Sequence, residues 1–329
     1  MTNKNNVQVL ENEIHDLESR LHDAKSRLAL SSTPKDGLKP SPTPPSTYDS
    51  EHHPSRLPIT EPIQARPNPA RADPTPLDPT HALLLLADTA LPLGSFAYSS
   101  GLESYLAHNK PLPRGVTPTA SFHRFLTLSI ASMASTSIPY VLAAYRTPEA
   151  LESLDNDLDA STPCVVAQRA SIAQGRALIG VWERAFRATY AADPLSAGSA
   201  TAVAAAGSVE RFSDAVKSGL DRVDQLGPKG HFAPLWGVVC VAMGVDVRQT
   251  AYVFMLNHAK AVLSAAVRAS VMGPYQAQRV LASKELQDMI AERIDREWET
   301  AVEDAGQVVP PLDLWIGRHE LLYSRIFNS

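Results

Sequence analysis

The sequence predicts an all-α protein, a single helical bundle domain with a proline-rich, disordered N-terminal extension. Three observations predict it. From residue 80 onward apolar residues recur every three or four positions, the spacing that lines one face of a helix. Threonine-proline pairs at Thr117-Pro118, Thr147-Pro148 and Thr162-Pro163 repeat a helix-start signal, since the hydroxyl caps free N–H groups and the ring suits a first helical position. Thirteen of the 26 prolines fall in residues 31–79, a stretch with few large apolar groups that cannot offset its own ordering entropy by burial. No period-two strand pattern stands out anywhere in the 329 residues.

Residues 1–30 read as a short heptad helix, with Val7, Leu10, Ile14, Leu17, Leu21, Ala24 and Leu28 at a and d positions. In a parallel homodimer Glu13 would face Glu18 and Arg20 would face Lys25. Both pairs repel, which favours an antiparallel or heteromeric pairing, beside the plainer alternative of a solvated helix of marginal stability. Residues 31–79 are the linker, and the His52-His53 pair inside it is weak bait for a metal.

The bundle is expected over residues 80–309. Its most informative run is Leu83 to Glu103, LLLLADTALPLGSFAYSSGLE. A short apolar helix is interrupted at Leu91-Pro92-Leu93-Gly94, because proline removes a donor and glycine permits dihedrals closed to other residues. A second helix is expected to restart at once on Phe96, Tyr98, Leu102, Tyr105 and Leu106. The helix begun at Thr117-Pro118 lines one face with Phe122, Phe125, Leu126, Ile130 and Met133. Residues Pro163 to Ala191 bury Val166, Ala170, Leu178, Trp182 and Phe186, and Leu195 to Gly207 reads as a loop with a frayed helical part. A helix carrying Phe212, Val216, Leu220 and Val223 follows. After Gly230, Phe232 to Met243 is almost wholly apolar, as the central helix of a bundle is. Asp246 with Gln249 makes a capping box for a helix running to Met272, ended by Gly273-Pro274. Ser283 to Asp304 forms a last long helix, more charged and so more exposed.

Composition excludes several function classes. Hydrophobic residues make up 44% and the net charge is -5 with no basic block, which argues against a nucleic-acid partner. No apolar run approaches the roughly 20 residues of a membrane span, so no membrane partner is expected. The opening Met-Thr-Asn-Lys-Asn-Asn has no secretion-signal stretch, and Cys164 and Cys240 read as buried thiols of a reducing compartment, so a cytoplasmic location is expected. Ser95, Ser99 and Ser100 do not form a nucleophile elbow and no Walker-type phosphate loop is present. His81, His108, His231, His258 and His319 are dispersed and read as ordinary core or surface residues rather than as a metal set. No catalytic and no metal-binding residue is assigned.

Polar groups in unexpected places point instead to contacts. Arg169 and Arg176 lie seven residues apart on one helical face, with Gly175 between them letting another backbone approach. Such charges need either a buried ion network, with Glu103, Asp157 and Asp159 as partners, or a binding face. Arg268 at the end of an apolar helix is either a charge favoured by the helix dipole or an interface residue. Residues 310–329 form an apolar C-terminal tail, PPLDLWIGRHELLYSRIFNS, whose large side chains need a groove on this bundle or on another protein. Docking on a partner is the favoured reading, since burying Phe327 alone contributes roughly 1.5–3 kcal/mol.

Three blocks, Leu91 to Glu103, Arg169-Ala-Ser171 with Gln174-Gly-Arg176, and His319 to Ser329, occur in this order. Together they resemble the UreF family of urease accessory proteins over about residues 80–329. The chain departs from bacterial relatives at Ser95, where a second glycine often stands, and in ending Arg325-Ile-Phe-Asn-Ser without a basic residue before the serine. The resemblance implies an all-α homodimer that is a non-enzymatic scaffold for urease maturation. It implies bridging of a UreD- or UreH-type protein and the nickel-carrying GTPase UreG, so that nickel reaches apo-urease. It also implies no tightly bound cofactor, nickel being cargo of the complex. The partner-contacting residues it implies are Pro92, Gly94, Phe96, Tyr98, Gly101, Leu102 and Glu103; Arg169, Ser171, Gly175, Arg176 and Arg268; and His319, Tyr323, Arg325, Ile326 and Phe327. The alternative is a generic helical adaptor acting through its heptad helix in another complex. Removing residues 1–79 separates the two, because urease activation survives on the first reading and fails on the second.

Overall fold

The packing of several helices around one apolar segment, Phe232–Ala242, sets the architecture. In the computed structural model, which describes residues 78–191, 199–219 and 227–329, we number the α-helices α1 (Pro79–Ala87), α2 (Leu102–His108), α3 (Pro118–Arg146), α4 (Leu151–Ser161), α5 (Val165–Val181), α6 (Arg187–Tyr190), α7 (Ala200–Gly219), α8 (Phe232–Ala242), α9 (Val247–Arg268), α10 (Pro274–Leu281), α11 (Lys284–Glu297) and α12 (Pro310–Arg318). The all-α prediction holds. The predicted heptad helix, the His52-His53 pair and nearly all of the linker lie outside the described residues, as do Leu220 and Val223.

Helix α8 is the axle, buried from Ala233 to Ala242 and packed against α3, α4, α5 and α7, with α9 beside it. Apolarity all round is what a helix covered on every side requires. Helix α3 is long and apolar enough to cross a membrane, a test the sequence reading had it fail, yet 72% of its apolar window is buried in the bundle. Thr117 caps it by accepting from the Ala120 N–H at 3.1 Å. Pro139 sits inside α3 and has no N–H to give the carbonyl four residues back. That Ser135 carbonyl accepts instead from the Gly306 N–H at 3.2 Å, which pins the loop leading to α12 onto the bundle. The Asp246 carboxylate caps α9 through the N–H groups of Arg248 and Gln249.

Several boundaries differ from expectation for identifiable reasons. Pro79, assigned to the linker, is the first residue of α1, with Asp78 accepting from the Thr80 N–H. The helix expected from Phe96 is a single 3₁₀ turn, Ser95–Ala97, and α2 starts only at Leu102. Ser100 and Gly101 between them take φ of 51° and 86°, which a right-handed helix does not accommodate. Thr162 does not cap α5. Its hydroxyl donates to the Leu158 carbonyl at 2.7 Å and closes α4, since the residue before a proline is pushed out of the helical region. Helix α5 continues through one π turn, Trp182–Phe186, into α6. The stretch read as loop up to Gly207 is helical from Ala200, where high alanine propensity combines with burial of Ala202, Ala205 and Ala206. Helix α9 stops at Arg268, and the helix expected to run to Asp304 stops at Glu297.

Candidate functional site

The signature segment and the end of the chain form one hydrogen-bonded unit. After the break at Leu91-Pro92, Gly94 turns the chain with φ of 71°. The 3₁₀ turn then presents the Ala97 carbonyl, which accepts from the Asn328 N–H at 2.8 Å. One step further the Ser99 N–H donates to the Ser329 oxygen at 2.7 Å, and the Ser99 hydroxyl donates to the same oxygen. Gly101 is required twice. Its φ of 86° favours glycine, and an added Cβ would come within 2.9 Å of the Ile316 side chain on α12.

Glu103, in the first turn of α2, holds the tail. Its carboxylate accepts from the backbone N–H groups of Ile326 at 2.7 Å and Phe327 at 3.2 Å, and lies 2.8 Å from Nε2 of His319. Two backbone N–H donors and the His319 ring thus converge on one largely buried carboxylate. Phe327 is only 5% exposed. The Arg268 guanidinium lies 4.4 Å from its ring centroid and donates to the Phe96 carbonyl, so one cation bridges the signature turn and the tail.

The predicted site residues therefore divide. Pro92, Phe96, Tyr323, Arg325 and Ile326 are exposed, with Tyr98 half-buried beside them. Leu102, Gly101, Gly175, His319 and Phe327 are buried within this chain. This corrects the expectation that Phe327 seats on a partner; its groove is on its own bundle, and the neighbouring Ile326 and Tyr323 face outward. Ser171 also serves the interior, accepting from the Phe232 N–H at 3.2 Å and lying 3.1 Å from Nδ1 of His231. Of the two readings of Arg169 and Arg176, the buried ion network with Glu103, Asp157 and Asp159 does not form, which leaves the binding face. Arg169 pairs with Glu320, the Arg176 side chain donates to the Lys229 carbonyl, and Asp159 pairs with His231. Both arginines sit on the surface, where no buried counter-charge is needed.

Sequence reasoning missed Asp155. Wholly buried, it accepts from the N–H groups of Lys229, Gly230 and His231 at 2.6, 3.2 and 2.5 Å, fixing the segment that feeds α8. The signal was present: Leu151, Leu154 and Leu158 define an apolar face of α4, and Asp155 falls on it. Ser99, Asn328 and Glu320 were also missed, because their importance lies in contacts between segments more than 150 positions apart.

Beneath the signature segment lies a cavity of about 290 Å³, walled by hydroxyl groups of α3 such as Ser129, Ser132 and Thr136, by Phe254 of α9 and by His258. His258 lies deep in the molecule with part of its ring facing the cavity, 2.9 Å from the Ser129 hydroxyl. Burial pulls it from the ordinary 6.5 down to about 4, against the Ser129 bond, which acts upward. The fold thus holds the neutral ring, while the unfolded chain takes up its proton near the ordinary value. The stability this gives is complete above pH 6.5 and is lost as pH falls to about 4, at up to about 1.4 kcal/mol per pH unit. His258→Gln is expected to flatten the dependence of unfolding free energy on pH across that window, measured by urea denaturation; an unchanged slope would reject the assignment. Among the described residues, no group of three or more His, Cys, Asp and Glu is placed to hold a metal ion.

The fold and site define a class: an all-α protein whose most specific segment is spent on gripping its own tail at a surface edged with exposed apolar and basic side chains. The model of the UreF family matches residues 116–285. An uncharacterised UreF-like urease accessory protein of Schizosaccharomyces pombe is 36% identical over 250 residues, covering 76% of this chain and 97% of that protein. Urease accessory protein F of Oryza sativa subsp. indica is 30% identical over 248 residues, covering 74% and 82%. The bacterial urease accessory protein UreF of Paenarthrobacter aurescens is 25% identical over 248 residues, covering 75% and 97%. The chain belongs to the UreF family.

Proposed function

We propose that this protein acts in urease maturation as a non-enzymatic scaffold. It bridges a UreD- or UreH-type accessory protein and the GTPase UreG, works as a homodimer in the cytoplasm, and lets nickel pass to apo-urease as cargo of the complex rather than as its own cofactor. Family membership supports the urease role. The observation that carries the docking part is the Glu103 clamp, which fixes the tail while leaving Leu321, Tyr323 and Ile326 exposed at 76%, 106% and 61%. Large apolar groups held in place on a surface have already lost much of their conformational freedom, which favours binding. In this reading the bundle, which begins at Pro79, is the scaffold and residues 310–329 are the docking tail.

Deleting Glu320 to Ser329 is expected to abolish co-purification with the UreD-type partner; normal co-purification would refute the tail's role. Arg169→Ala and Arg176→Ala are each expected to weaken GTPase recruitment several-fold with helicity intact. Their side chains are exposed, so their loss leaves the core untouched. Unchanged affinity by calorimetry would reject those two positions.

A further inference from the structure

A groove between α5 and the tail has a charge arrangement that the clamp does not explain. Tyr98, Arg169, Glu320, Arg325 and Asn328 are among the residues that line it. Two guanidinium groups face one carboxylate there, a local excess of one positive charge in a chain whose net charge is -5. Arg169 and Glu320 pair across the groove with 59% and 46% of their side chains exposed, and an ion pair so screened by solvent is weakly held. Arg325 has no carboxylate partner among the described residues. The backbone around it is nevertheless fixed: the Ile326 and Phe327 N–H groups are held by Glu103 and the Asn328 N–H by Ala97. A free cation on a tethered backbone beside a weakly held pair is built for exchange.

We infer that this groove receives an aspartate or glutamate side chain of a docking protein, with Glu320 as its resident stand-in. The incoming carboxylate meets Arg325 first and then competes with Glu320 for Arg169. Each guanidinium presents paired N–H donors in the fork geometry that matches a carboxylate. The single excess charge is neutralised by one monoanion, whereas a phosphate dianion would leave net negative charge facing Glu320. This inference rests on the docking reading and adds to it the chemistry of the partner and a built-in competitor that lowers its affinity.

The test is a titration of the full chain with N-acetylglutamate N-methylamide, followed through the Arg169 and Arg325 Nε–H resonances. Inorganic phosphate serves as the comparator. Both resonances are expected to shift saturably with the glutamate probe, about 3–10-fold more tightly in Glu320→Gln, and not at all in the double variant Arg169→Gln/Arg325→Gln. Glutamate binding equal to or weaker than wild type in Glu320→Gln, preference for phosphate over glutamate, or no shift in the wild-type chain would each overturn the proposal. GTPase and UreD-type recruitment are measured separately. A chain that binds the probe as described yet recruits neither partner refutes the scaffold reading and leaves the groove's chemistry standing.

Discussion

Replacing Glu103 with alanine is expected to release the C-terminal segment while the bundle stays folded. The carboxylate is the common acceptor for the Ile326 and Phe327 N–H groups and the partner of His319. Hydrogen bonds to a charged acceptor contribute about 1.5–3 kcal/mol each, and a donor left buried without its acceptor costs a similar amount. The segment avoids that cost by detaching, which in turn gives up the roughly 1.5–3 kcal/mol of Phe327 burial and its contact with Arg268. Amide exchange at Ile326 and Phe327 is expected to rise at least about 10–100-fold, equivalent to a loss of roughly 1.4–2.7 kcal/mol or more, with helical circular dichroism nearly unchanged. Glu103→Gln keeps a carbonyl acceptor and is expected to fall between the two. Equal exchange in wild type and Glu103→Ala would show that the tail is held by something else. The same variant is expected to lose UreD-type binding, since a detached tail pays its ordering entropy again on docking.

The largest stability loss is expected at Gly175. A Cβ there would overlap the Gly230 carbonyl and lie 2.8 Å from the His231 carbonyl carbon and 2.9 Å from the Phe232 nitrogen. These are backbone atoms, and the three Asp155 hydrogen bonds fix them in place. Gly175→Ala is therefore expected to cost about 3 kcal/mol of stability, a fall in Tm of roughly 6–12 °C. Helix propensity works the other way by up to about 1 kcal/mol, so a measured drop isolates the steric effect. Gly306→Ala, where an added Cβ meets nothing within 4 Å, is the control and is expected to change little. A Gly175→Ala protein as stable as wild type would mean that α5 and the start of α8 are not in this register.

Close backbone approach at Gly175 was legible because a glycine between two exposed arginines on an otherwise ordinary helix has no other obvious use. The burial of α8 was legible because nothing else explains eleven nearly continuous apolar residues. The restart at Phe96 was misread for the converse reason. Apolar spacing there is helical, but Ser100 takes a left-handed φ of 51°, and such strain in a non-glycine residue persists only where surrounding structure enforces it. The choice between an ion network and a binding face for Arg169 and Arg176 stayed open in the sequence, because seven-residue spacing reports a shared face and is silent on what crosses that face.

Local chemistry in the sequence determined the capped starts of α3 at Thr117 and α9 at Asp246, which faces are apolar, and that the Leu91 to Glu103 segment and the tail were special. Those properties depend on neighbours within about two turns, and the chain order carries that information directly. Only the tertiary structure decided that the two special segments are one object, that Phe327 turns inward while Ile326 and Tyr323 turn outward, and that Glu103 is the acceptor joining them. Hydrogen bonds between residues some 220 positions apart form because the packed bundle brings the segments within reach, and no periodicity along the chain encodes that meeting.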